Sequence, residues 1–144
     1  MKISTKGRYG VRLMLDLARH FDQGPVYLKD IARREDISEK YLWHLASQLK
    51  SAGLLYTVRG SRGGYGLAKA PKMITLKDVV CALEGDICVV DCVNGNSCKR
   101  MRMCPTRTVW QAVTKAVVDT LESYTLEKVL EQEGTEKNVQ SYSI

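Results

Sequence analysis

No apolar run in the 144 residues approaches the roughly 20 needed to span a bilayer. The opening MKISTKGRYGVR has no uninterrupted apolar core of the kind a secretory signal requires. The chain is therefore expected to stay in the cytosol, away from membranes. Only two histidines occur, no nucleotide-binding glycine loop follows a strand, and no nucleophile–base pair is legible. An enzyme, for instance an oxidoreductase using its cysteines, is the poorest fit. Internal repeats and low-complexity tracts are absent as well.

What is present is ordinary in amount and uneven in placement. The chain is 44% hydrophobic and 26% charged, with room for one compact domain plus an appended oligomerisation element. Residues 1–70 carry thirteen Lys and Arg against six Asp and Glu, a balance of +7, whereas residues 71–144 carry nine against ten. The whole basic excess thus lies in the first half, as an electrostatic footprint on phosphate requires. Five cysteines, at 81, 88, 92, 98 and 104, crowd one short stretch of the second half. In a reducing compartment such crowding points to metal binding or redox sensing rather than to structural disulfides.

Hydrophobic periodicity predicts a mostly helical chain. Ser4 or Thr5 caps a first helix over about residues 6–22, with Tyr9, Val11, Leu15, Ala18 and Phe21 on its apolar face and Gly24-Pro25 as its stop. A short extended piece at Val26-Tyr27 precedes a second helix over about 28–35. After the turn Asp36-Ile37-Ser38, a third helix runs over about 39–52 and closes on Gly53. Two helices joined by a short turn, the second with polar residues near its start, form a helix-turn-helix. Alternation from Leu55 to Arg59, the turn Gly60-Ser61-Arg62-Gly63-Gly64 and a return strand to Leu67 then make a hairpin, the wing. The fold class expected is a winged helix-turn-helix over residues 1–70, followed by further helices.

Thr75 caps a short helix over about 76–84, stopped by Gly85. Residues 86–104 have no sustained period and hold four of the five cysteines. Pro105 opens a long helix over 105–123, in which Trp110, Val113, Val117, Leu121 and Tyr124 recur at three- and four-residue steps. That stripe is the best candidate for the symmetric interface of a homodimer, since a two-fold helix-turn-helix protein needs one. Thr125 caps a last helix ending near Gln132, and residues 133–144 are expected to form a flexible tail.

The DNA-reading candidates follow from this layout. On the third helix they are Ser38, Lys40, Trp43, His44, Ser47 and Gln48, which face away from the core. The first helix adds Lys6, Arg8 and Arg12 as backbone clamps. In the wing, Arg59 and Arg62 flank Gly60, and an arginine on such a tip can enter a narrow minor groove. The expected partner is a pseudo-palindromic double-stranded operator.

Cys92, Cys98 and Cys104 are spaced by six residues each in DCVNGNSCKRMRMCP. Soft thiolates on a loop suit an iron–sulfur cluster or zinc, and Lys99, Arg100 and Arg102 would lower thiolate pKa values and offset a cluster's charge. Three readings stand together: a cluster, a zinc site completed by Cys88, or a thiol redox switch. Cys81, on the apolar side of a short helix, is read as a small buried residue.

The opening KISTKGRYGV, the stretch ISEKYLWHL, the wing VRGSRGGYGL and the triplet Cys92, Cys98, Cys104 together resemble the IscR-type iron–sulfur cluster regulators over about residues 1–130. The resemblance implies a homodimeric winged-helix repressor or activator. It also implies a 2Fe–2S cluster on those three cysteines, with operator binding set by cluster occupancy. It further suggests control of genes for cluster biogenesis or related stress. Two departures stand out. Arg107 occupies the place of the family's usual histidine ligand, which leaves Cys88, Asp86, Asp91 or a partner-subunit group as the fourth. The well-known members carry glutamate where this chain has Trp43 and serine where it has Lys40, so promoter choice is expected to differ.

Overall fold

Helix α1 (Thr5–Arg19) starts where Ser4, in an extended conformation, turns its side chain back to accept from the Gly7 amide. The computed structural model describes residues 2–95 and 98–141 of the chain. Regular helix ends at Arg19, short of the expected 22. A single 3-10 turn, Phe21–Gln23, follows, and Gly24 at φ 82° turns the chain. The apolar face of α1 is also displaced from the expected one. Leu13, Met14, Leu17 and Ala18 are buried, Tyr9, Val11 and Leu15 only flank the core, and Phe21 is exposed.

Helices α2 (Leu28–Glu35) and α3 (Glu39–Ser51) carry the helix-turn-helix. Asp36 takes the left-handed conformation between them, and Ser38 caps α3 by accepting from Tyr41 N. Leu42, Leu45, Ala46 and Leu49 bury one face of α3 against Ile31 and α1. A polar tie reinforces this corner. Asp16, 1% exposed on α1, receives the Arg34 guanidinium in fork geometry at 2.7 and 2.9 Å. A carboxylate so buried is tolerable only with such a partner, and the bond raises the Arg34 pKa further.

Strands β1 (Leu55–Val58) and β2 (Gly64–Leu67) pair antiparallel, Leu55 opposite Leu67 and Val58 opposite Gly64. Val26 bridges to Tyr65 and so adds the extended piece before α2 to the edge of this hairpin. Gly64 permits that approach, because at φ 136° a Cβ there would lie 2.5 Å from the Val26 carbonyl oxygen.

The core does not stop at residue 70. Helix α4 (Leu76–Glu84), opened by a reciprocal capping box between Thr75 and Asp78, lays Val79 and Leu83 against α1. A one-turn helix, α5 (Asp91–Asn94), forms where no helical period was legible. Helix α6 (Arg107–Ser123) begins two positions after Pro105, and none of its residues is buried. Helix α7 (Leu126–Ser141) starts beside α4, where Leu76 N donates to Tyr124 O and Leu126 N to Ile74 O. Leu126 is fully buried. The helix runs on through Ser141, so the segment expected to be a flexible tail from Glu133 is helical as far as it is described. Ion pairs from Glu133 to Arg19 at 3.0 Å and to Lys137 at 3.0 Å hold the extension in place. The last three residues of the tail lie outside the described part.

The α1–α4 contact depends on glycine. A Cβ at Gly10 would stand 2.0 Å from Leu83 Cδ1, and one at Gly7 2.6 Å from Glu84 Oε1. Gly10→Ala sets two effects against each other. Helix propensity gains about 1 kcal/mol, while overpacking a buried leucine costs about 1–3 kcal/mol. We expect a net loss of up to about 2 kcal/mol in urea denaturation; a gain in stability would contradict the close approach.

Candidate functional site

The polar face of α3 and the wing form two walls of one groove. Trp43, Ser47 and Lys50, at four- and three-residue steps along α3, face Thr57, Arg59 and Gly60 across a space of about 500 Å³. Lys50 Nζ donates to Thr57 Oγ1 at 3.0 Å, and Tyr27 Oη donates to the Ser61 carbonyl at the wing tip. The wing is thereby bonded to the body along β1 and at its tip.

The expected DNA-reading residues fall into three groups. Trp43, His44, Lys40, Arg59 and Arg62 are exposed, and among the described residues none of these cations joins an ion pair. Gly60 sits at the turn between the arginines. Ser38 and Ser47 hold structural bonds, Ser38 as the cap of α3 and Ser47 by donating to the Trp43 carbonyl at 2.9 Å. On α1, Arg8 is exposed and donates to Thr5 Oγ1 at 3.4 Å, while Lys6 is half-buried. Arg12 is engaged within the fold. It pairs with Glu35 at 3.1 Å and lies over the Tyr9 ring. Sequence reasoning missed Tyr27 and Lys50; no local signal marks Tyr27, because its partner is thirty-four residues away.

The cysteine loop leaves the C-terminus of α4. Glu84, the last residue of that helix, accepts from Ser4 N at 2.8 Å and from Gly7 N at 3.2 Å, and the Ser4 hydroxyl also donates to it. The base of the loop is thus attached to the first turn of the DNA-binding half, at unpaired amides that favour a carboxylate. Further along, Val89 N donates to Thr114 Oγ1 at 3.2 Å, and Arg107 Nη1 to the Cys92 carbonyl at 2.9 Å. Arg107 therefore belongs to the loop's backbone support.

All five cysteines are free thiols and half-buried. Among the described residues no three Cys, His, Asp or Glu side chains converge on one metal position. Cys92 lies on α5, and Cys98 and Cys104 lie on either side of the turns at residues 99–103. The thiols differ chemically. Cys104 Sγ lies 3.2 Å from the Thr106 hydroxyl, and that hydrogen bond, with help from nearby backbone amides, lowers its pKa. Burial pushes the Cys81 thiol up, against a partial pull from Lys77. On α6, Trp110 and Val113 are each 38% exposed, whereas Val117 and Leu121 turn toward Val80, Ile87 and Cys88.

A basic helix-turn-helix with an arginine-bearing wing defines a winged-helix DNA-binding transcription regulator, and the family agrees. The sequence profile of the Rrf2 family, described as iron-dependent transcriptional regulators, matches residues 3–132, and the chain belongs to that family. It is 44% identical over 127 residues to Protein rrf2 of Nitratidesulfovibrio vulgaris strain Hildenborough, covering 88% of this chain and 85% of that one. Among solved structures, CymR of B. subtilis, its global cysteine regulator, aligns with a TM-score of 0.78 at 39% identity, over 92% of this chain and 98% of CymR. IscR of T. potens aligns with a TM-score of 0.76 at 41% identity, over 92% and 88%. The IscR-type likeness of the sequence thus extends to the fold, and a cysteine regulator shares that fold to the same degree. As a family of transcription regulators, these proteins are not enzymes. No helix among the described residues is long and apolar enough to cross a membrane.

The thiol chemistry gives a prediction for metal-free, reduced protein. A lowered pKa keeps Cys104 as thiolate at a pH where an ordinary thiol is protonated, and the thiolate is the reactive form. Alkylation followed by mass spectrometry should label Cys104 at lower pH than Cys81. Thr106→Val should move the Cys104 midpoint upward. A Cys104 midpoint unchanged in Thr106→Val would show the hydrogen bond to be without effect.

Proposed function

We propose that the chain is a homodimeric regulator whose operator binding is set by an iron–sulfur cluster, of the 2Fe–2S type, held by Cys92, Cys98 and Cys104. The observation that carries this reading is the evenly spaced triplet of free thiols on one loop, in a chain similar to IscR over nine-tenths of its length. The donor set fits such a group. Three thiols are soft ligands, and the exposed Lys99, Arg100 and Arg102 offset the negative charge of a thiolate-bound cluster. The fourth ligand is a residue other than Arg107, whose guanidinium supports the Cys92 carbonyl. Cys88, Asp86, Asp91 and a partner-subunit group remain the candidates.

Ligation would draw the three sulfurs together and so reshape residues 92–104. That segment is bonded to α6 through Arg107, and its base is bonded to α1 through Glu84. A change there biases both the helix proposed to form the dimer and the first turn of the DNA-binding half. The dimer reading rests on α6, where Val109, Trp110 and Val113 leave an apolar stripe in water; Val117 and Leu121, half-buried toward Cys88, carry the stripe on to the base of the loop. The proposed targets are genes for iron–sulfur cluster supply or related stress, read from a pseudo-palindromic operator in the cytosol.

A second reading is favoured by the lowered pKa of Cys104 and by the similarity to CymR: a thiol-sensing regulator without a cluster. Anaerobic purification with iron, sulfide and zinc analysis separates the two. We expect iron and acid-labile sulfide in equal amounts, with visible absorption that Cys92→Ala abolishes. Colourless protein with stoichiometric zinc would establish the zinc site instead, and colourless metal-free protein would leave the thiol switch.

A further inference from the structure

Trp43 is the largest apolar side chain on the exposed face of α3, and 54% of it is open to water. Its ring is braced edge-on by His44, with 5.2 Å between ring centroids and 78° between planes. A braced indole presents its apolar face at little further entropic cost on binding. The same face lines the groove between α3 and the wing, whose other contributors include Ser47, Lys50, Thr57 and Arg59. With Lys50 anchored to Thr57 at 3.0 Å and Arg59 exposed, the groove is basic, as a surface that meets a nucleic-acid backbone requires.

The edges of base pairs in a major groove are almost wholly hydrogen-bonding groups. The thymine C5-methyl is the one apolar substituent among them, where cytosine presents only a C5–H. An indole face set against any other edge would leave donors or acceptors unpaired, which costs more than the contact returns. We propose that Trp43 is a specificity-determining residue that selects a thymine in each half-site through its C5-methyl group. This rests on α3 being the helix that enters the major groove. The selection is for a 5-methylpyrimidine rather than for a base pair as such, so 5-methylcytosine should substitute for thymine better than cytosine does.

The test uses the full-length protein, anaerobic, both as isolated and after metal removal. Tight-binding duplexes are selected from a random library and resynthesised with uracil in place of thymine, one position at a time. Removing one buried methyl should weaken binding about fourfold at one position of each half-site. The salt dependence should not change, because no phosphate contact is touched. Trp43→Ala should bind the thymine and uracil duplexes equally. Should that variant fail to fold, as judged by circular dichroism, Trp43→Gln serves for the same comparison. Equal binding of thymine and uracil duplexes by the unaltered protein, or a thymine preference that survives loss of the indole, would overturn the inference while leaving DNA binding intact. Recovery of no duplex in either metal state would overturn the DNA-binding reading along with it.

Discussion

The seam between α1 and α4 is the constraint on which the rest of the architecture hangs. Two glycines one helical turn apart remove the side chains that would separate the helices, and Leu83 and Glu84 fill the space. Leu83 supplies apolar burial. Glu84 supplies a carboxylate for amides that no helix can satisfy by itself. The seam makes one body of a basic DNA-binding half and a second half without net positive charge. It also means that the residue immediately before the cysteine loop is in contact with the residues just before Lys6 and Arg8. In the proposed regulation this contact is the bonded route from the loop to the start of α1.

Charge is divided between ion pairs within the fold and cations left open to solvent. Arg12, Arg19 and Arg34 sit in ion pairs with Glu35, Glu133 and Asp16. They tie α1 to α2 and α7. Lys40, Arg59 and Arg62 stand on the open side, without such pairs among the described residues. The basic excess of the first half is thus partly engaged in ion pairs within the fold. An estimate of DNA contacts from composition alone would count the structural arginines as well.

Local signals carried the elements far. Ser38, Thr75, Gly53 and Gly85 act through their own backbone neighbourhood, and the helices they bound lie where propensity and capping place them. The helix-turn-helix, the hairpin and its glycine turn were legible for the same reason. Long-range partners were not. The core face of α1 is set by what α4 and α3 present to it, so Leu13 and Met14 are buried where periodicity favoured Tyr9 and Phe21. Gly7 and Gly10 did carry a signal, being helix-weakening residues on one face, but its meaning depends on Leu83 and Glu84. The helix α7 continues past Gln132, where Glu133 meets Arg19, a partner more than a hundred residues earlier that no local signal shows. In the site, the thiol-rich loop was visible as spacing, whereas Tyr27, the Thr106 hydroxyl and the support from Arg107 emerge only in three dimensions.

In the proposed regulation, the state of the cysteine loop sets the grip of a winged helix to which it is bonded through Glu84. Its most direct test is the affinity of the anaerobic protein for a selected operator, measured on one preparation before and after chelation and resupply of iron and sulfide. We expect an affinity that changes with the loaded fraction and returns on reloading, and a change that shrinks in Glu84→Ala. An affinity that stays the same whatever the loop holds would contradict it.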